Sequence, residues 1–211
     1  ITVTNAIDIS GTASELTAAL VTDDTLVVAG TATANITDDE GTDINATVLS
    51  AIGAKTSGAI TVTNAIDIAG TADEVTAALV TDDTLVVAET ATVTISDNPS
   101  ISALNAIAAK TDGVVTATLA ADSLSNLGAL TTAGTDVITI TVNDNAEADV
   151  TASDLSTLGG KTAGVVTVSN AVDISGTASE LTAALVTADT LVVAGTATAN
   201  ITDAVSYTHL T

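Results

Sequence analysis

Residues 1–38 recur at 166–203 without a gap, differing only at Ile1/Val166, Thr4/Ser169, Ile7/Val172 and Asp23/Ala188. A third copy of the phrase starts at Ile60 (ITVTNAIDIAGTADEVTAALVTDDTLVVA). A chain that repeats at this length is not free to build one irregular core, because each copy must fold alike and meet its neighbour alike. One leucine or valine per helical segment (Leu16, Leu49, Val75, Leu104, Leu127, Leu155, Leu181) gives steps of 33, 26, 29, 23, 28 and 26 residues. The mean is about 27, within the range of solenoid repeats. The expected fold is therefore a repeat solenoid, α/β or β. Residues 1–203 form a single right-handed array of about seven coils, each with short parallel β-strands and a short helix. A pure β-solenoid, with the helices reduced to turns, is the alternative. The array reads as truncated at both ends.

Two helical phrases alternate. The first is Thr12–Leu20, repeated at Thr71–Leu79 and Thr177–Leu185, with a weaker version at Ser123–Leu130. Thr12 with Glu15, Thr71 with Glu74 and Thr177 with Glu180 each fit a capping box. The second phrase is Leu49–Gly58, repeated at Leu104–Gly113 and Leu155–Gly164. It places Lys55, Lys110 and Lys161 at one repeat position, the expected last turn of the helix, where a cation offsets the dipole. Gly58, Gly113 and Gly164 follow three residues later and suggest a left-handed exit. Alternating stretches such as Ile60-Thr-Val-Thr63 and Ala91-Thr-Val-Thr-Ile95 predict strands with one apolar face.

The apolar content is almost all Ala, Val, Ile and Leu; Phe, Trp, Met and Cys are missing, and Tyr207 and His209 are the only Tyr and His. Small aliphatics suit a thin, regular core. Mean hydropathy is +0.55, yet no apolar run approaches the roughly 20 residues of a spanning helix. Three lysines, no arginine and a net charge of −23 argue against nucleic acid, which is bound through clustered cations, and against anionic membrane surfaces.

After Asp203 the repeat stops. Residues 204–211 contain Val205-Ser-Tyr-Thr-His-Leu210, the string that a common sequencing-library transposon-end adaptor encodes in one frame. This tail reads as non-native read-through on a metagenomic fragment, which removes Tyr207 and His209 from the native inventory.

Enzymatic chemistry then has no histidine base, thiol or arginine to work with, and no catalytic or cofactor site is assigned. Two acidic clusters could hold calcium, a hard cation that takes oxygen ligands in loops. They are Asp38, Asp39, Glu40 and Asp43, and Asn143, Asp144, Asn145, Glu147 and Asp149. The plainer reading of both is a solvated acidic loop. Thr-x-Thr pairs (Thr2/Thr4, Thr31/Thr33, Thr61/Thr63, Thr90/Thr92/Thr94, Thr116/Thr118, Thr139/Thr141, Thr196/Thr198) raise a third possibility. Stacked in register they would make a ladder of the kind used to bind ice, although Thr is also a common solvent-facing strand residue.

The phrases VSNAVDISGTASELTAAL (168–185), LNAIAAKTDGVVTATL (104–119) and LSTLGGKTAGVVTVSNAVDISG (155–176) resemble repeats of very large cell-surface proteins of marine cyanobacteria and related bacteria. The resemblance covers residues 1–203. It implies an extracellular, cell-surface setting and a structural or adhesin-like role, and it brings no catalytic residues. The expected partners are further repeats of the same longer chain and, through uncapped ends, other copies of it.

Overall fold

Each helix among the described residues begins on a Thr, Ser or Asn whose side chain accepts a bond from a first-turn amide. The three Glu phrases form complete capping boxes at Thr12/Glu15, Thr71/Glu74 and Thr177/Glu180. The computed structural model describes residues 1–23, 27–187 and 192–203. The tail at 204–211 lies outside the described residues, and Tyr207 and His209 with it.

The chain divides into two units, Ile1–Thr118 and Leu119–Thr211. The first unit runs β1 (Asp8–Gly11), α1 (Ala13–Leu20), β2 (Thr33–Ile36), β3 (Asp43–Asn45), α2 (Ala46–Gly53), β4 (Ile60–Val62) and β5 (Asp67–Gly70). It continues through α3 (Ala72–Leu79), a 3-10 turn (Asp82–Thr84), β6 (Val86–Val87), β7 (Thr92–Ile95), α4 (Ile101–Ala108) and β8 (Val115–Thr118). Its strands make two ladders, β1-β2-β4-β6 and β3-β5-β7-β8, and every pairing is parallel. The second unit runs α5 (Leu124–Leu127), β9 (Val137–Val142), β10 (Asp149–Thr151), α6 (Ala152–Gly159), β11 (Val166–Val168), β12 (Asp173–Gly176), α7 (Ala178–Leu185), β13 (Val192–Val193) and β14 (Thr198–Ile201). Its ladders are β9-β11-β13 and β10-β12-β14, again all parallel. The fold is α/β with parallel strands, and none of these ladders closes into a barrel.

Register shows how the repeats lie on one another. Partners are separated by as little as 22 residues (Val93↔Val115) and as much as 26 (Ala34↔Ile60, Val166↔Ile140). These steps are shorter than the mean spacing of about 27 between helical markers. The longest helical step, Leu16 to Leu49, arises because α1 follows a strand of the first ladder (β1) whereas α2 follows a strand of the second (β3). The register also stacks like on like: Ile44, Ile68, Val93 and Val115 form one buried column, and Ile140, Val166 and Val192 another. Aliphatic side chains at the ~4.8 Å spacing of neighbouring strands fill such columns without voids. Leu16, Leu49, Val75 and Leu104 in the first unit and Leu127 and Leu155 in the second close them from the helical side, all at most 1% exposed.

The Lys-Thr-x-Gly phrase departs from expectation at two positions. The helices α2, α4 and α6 end at Gly53, Ala108 and Gly159, so Lys55, Lys110 and Lys161 lie two residues beyond the last turn. The glycines are not left-handed exits either; Gly41 is the described glycine with positive φ. They are required by close approach instead. A Cβ on Gly58 would sit 2.0 Å from the Ala32 carbonyl oxygen, on Gly113 2.1 Å from that of Ala91, and on Gly164 2.3 Å from that of Ile138. Each glycine lets one stretch of backbone press against the repeat before it.

Candidate functional site: the joints between repeats

The chemistry-bearing residues gather where one repeat meets the next. The threonine of each Lys-Thr-x-Gly phrase reaches back to the preceding repeat. Thr56 Oγ1 donates to the Ala32 carbonyl at 2.5 Å, Thr111 Oγ1 to that of Ala91 at 2.5 Å, and Thr162 Oγ1 to that of Ile138 at 2.8 Å. In each case the same oxygen accepts from the glycine amide two residues on, at 3.0, 3.0 and 2.7 Å. Thr162 is only 1% exposed and also accepts from the Ile138 amide at 2.7 Å. Backbone bonds run beside these latches, from the Ser57 amide to the Gly30 carbonyl (3.0 Å), from Asp112 to Glu89 and from Ala163 to Asp136 (2.7 Å each).

A second joint was not anticipated from sequence. Asp38 Oδ2 accepts from the Ala13 amide at 2.7 Å, so an aspartate one repeat later caps the first turn of α1. Asp97 does the same for Ala72 of α3 at 2.8 Å, Asp144 for Leu124 of α5 at 2.7 Å, and Asp203 for Ala178 of α7 at 3.0 Å. A carboxylate there answers both an orphan amide donor and the positive end of the helix. The signal in the sequence was an Asp two residues after the end-strand aliphatic (Ile36, Ile95, Val142, Ile201). Its partner lies 25 residues upstream in three of the four cases.

The two acidic clusters occupy equivalent loops. In the first, Asp38 is a cap, the Asp39 carbonyl accepts from the Thr42 amide at 3.1 Å to close a turn, and Asp39, Glu40 and Asp43 are exposed. In the second, Asp144 is a cap and the Asn145 carbonyl accepts from the Ala148 amide at 3.0 Å. Asn143 Oδ1 accepts from Asn170 Nδ2 at 3.0 Å, and Asn143, Asn145, Glu147 and Asp149 are exposed. Gly41 and Glu147 take the same place in the two turns, with φ of 73° and 64°. Asp43 stands in register with Asp67, and Asp149 with Asp173. Among the described residues no group of three or more His, Cys, Asp or Glu is placed to hold a metal ion.

Hydrogen bonds from Thr12, its backbone amide first and its hydroxyl second, hold Glu15 below the usual carboxylate range. Thr177 acts likewise on Glu180. Asp122 is lowered by Asn126 and then by the Ser123 amide. No family model, curated protein or solved structure matches the chain. The lysines divide: Lys55 and Lys110 are exposed, whereas Lys161 Nζ donates to the Gly128 carbonyl at 2.7 Å, at the C-cap of α5. That ammonium therefore serves the end of the preceding helix and not its own.

The threonines form pairs in place of a continuous row. Thr94 is in register with Thr116, and Thr141 with Thr167. Thr61 lies between Asn35 and Val87, while the Thr33 and Thr92 hydroxyls donate to Asp8 and Asp67. No helix among the described residues is long and apolar enough to cross a membrane.

Proposed function

We propose that the chain is a right-handed solenoid segment of a long secreted or cell-surface protein, acting as a structural or adhesive spacer and performing no reaction. The observation that carries this reading is the recurrence of one set of joints. The Asp cap occurs four times and the Thr-x-Gly latch three times, each satisfying backbone groups of the repeat before it. A repeat completed by its successor extends without limit, which suits a spacer. The outward Thr and Asp side chains and the net charge of −23 keep such arrays hydrated and mutually repelling. Antibodies raised against the chain should label intact cells that make it, and brief protease treatment of those cells should remove the label. Labelling that requires permeabilised cells would overturn the reading.

A further inference from the structure

Asp112-Gly113 is the one place in the chain where an aspartate or asparagine precedes a glycine. That dipeptide carries its own chemistry. The main-chain nitrogen of the glycine can attack the aspartate Cγ, because glycine sets no side chain in the way. A bond forms between Gly113 N and Asp112 Cγ, the nitrogen gives up its hydrogen, one carboxyl oxygen leaves as water, and a five-membered succinimide closes. Water then opens the ring at either carbonyl. One opening restores aspartate; the other gives isoaspartate, whose main chain runs through the side-chain carboxyl and is one methylene longer. The water released in the first step is taken up again in the second, and nothing is oxidised or reduced.

The fold sets this dipeptide in the latch that follows α4, and the latch holds both of its amides. Asp112 N–H donates to the Glu89 carbonyl at 2.7 Å. Gly113 N–H donates to Thr111 Oγ1 at 3.0 Å, and that hydroxyl donates to the Ala91 carbonyl at 2.5 Å. The glycine is pressed so close to the preceding repeat that a Cβ would lie 2.1 Å from the Ala91 oxygen and 3.0 Å from that of Thr90. Neither product of ring closure fits here. The succinimide nitrogen carries no hydrogen, so the bond to Thr111 disappears. The extra methylene of isoaspartate displaces the glycine relative to the Glu89 bond, in a contact with no slack. Asp112 itself is exposed and lines an open crevice with Glu89, Lys110 and Thr111, so water reaches its carboxyl. Ser57 and Ala163 hold the same place in the other two latches and have no carboxyl to react.

We infer that Asp112 is a self-modification site gated by Thr111: the closed latch keeps the dipeptide as aspartate, and opening of the joint commits it to succinimide and isoaspartate. Reaction then proceeds from the open joint alone, at the chemical rate multiplied by the open fraction. Aspartate returned by hydrolysis latches again and is protected. Isoaspartate does not, so a reversible local opening becomes a lasting weak point in the stack. The site depends on the joint, not on where the chain resides or what it supports.

The test is ageing of the full chain in heavy-oxygen water, because each passage through the succinimide leaves a heavy oxygen on residue 112. Cleavage after Lys110 and Lys161 releases the peptide Thr111–Lys161, in which mass spectrometry reads the label and chromatography separates isoaspartate from aspartate. The folded parent should take up label at least about tenfold more slowly than the same chain unfolded in urea. Thr111→Val removes the acceptor of the Gly113 amide and should label about tenfold faster than the parent while keeping its far-UV circular dichroism. Thr111→Ser keeps the oxygen and should stay near the parent rate. Ageing should lower the parent's urea midpoint and leave unchanged that of Asp112→Ser, which copies the Ser57 latch. A folded parent that labels as fast as the unfolded chain, an unfolded chain that takes no label, a folded Thr111→Val variant no faster than the parent, or equal loss of midpoint in parent and Asp112→Ser would each overturn the inference. If Thr111→Val does not fold, the comparison of folded with unfolded parent still decides.

Discussion

Thr162→Val replaces a hydroxyl by a methyl of nearly the same shape at a site 1% exposed. The valine fills the space, so the change isolates hydrogen bonding from packing. Two buried amides, Ile138 at 2.7 Å and Gly164 at 2.7 Å, lose their acceptor. The Ile138 and Asp136 carbonyls lose the hydroxyl proton that they share at 2.8 and 3.0 Å. An orphaned buried donor costs about 1–3 kcal/mol, so two of them predict a loss of about 2–6 kcal/mol. Thr162→Ser keeps the hydroxyl and deletes one methyl, worth about 1 kcal/mol. Urea unfolding of parent and both variants would give the stabilities. Native-state hydrogen exchange would show whether the Ile138 and Gly164 amides are the ones deprotected. Equal losses for Val and Ser, or unchanged exchange at those two amides, would refute the claim that the latch works through its oxygen.

Three further outcomes follow from the same contacts. Gly113→Ala forces a Cβ to within 2.1 Å of the Ala91 carbonyl oxygen, so the joint must open; the expected cost is about 3 kcal/mol, read as a fall in the urea midpoint. Glu147→Gly relieves a left-handed residue (φ 64°) in the turn whose counterpart already has Gly41; it should stabilise the fold by about 0.5–1 kcal/mol, seen as a rise in Tm. The depressed carboxyls of Glu15 and Glu180 contribute stability that is fully present above the unfolded-state value. It is lost as pH falls through the lower folded-state value. A Glu15→Gln/Glu180→Gln double variant should therefore lose less stability than the parent on acidification below about pH 4.5, as measured by Tm against pH.

What the sequence made legible was whatever closes within a few residues. The capping boxes at Thr12, Thr71 and Thr177 pair groups three positions apart, and their spacing alone identifies both partners. Contacts between repeats were a different matter. Gly58 invited a local explanation, an unusual φ, when its reason lies at Ala32. Lys161 invited a dipole argument about its own helix, when its partner is Gly128. Asp38 and Asp144 looked like members of acidic clusters because the amides they cap lie 25 and 20 residues upstream. Repetition tells which positions are equivalent, but not which of them face each other. Coil length suffered likewise: the helical markers step from a strand of one ladder (β1 before α1) to a strand of the other (β3 before α2), whereas strand register compares like with like.

Across the joints the later repeat mostly supplies the side chain, and the earlier one mostly supplies only backbone. Asp38 takes an amide of Ala13, Thr56 gives to a carbonyl of Ala32, Asn64 to a carbonyl of Asp38, and Lys161 to a carbonyl of Gly128. A repeat built this way hardly reads the identity of the one before it, since every residue offers the same main-chain groups. Unequal crossing-over can then insert, delete or exchange whole repeats without making a mismatched junction. A chain in which 38 residues recur almost unchanged beside more diverged copies is what such an indifferent joint allows to accumulate.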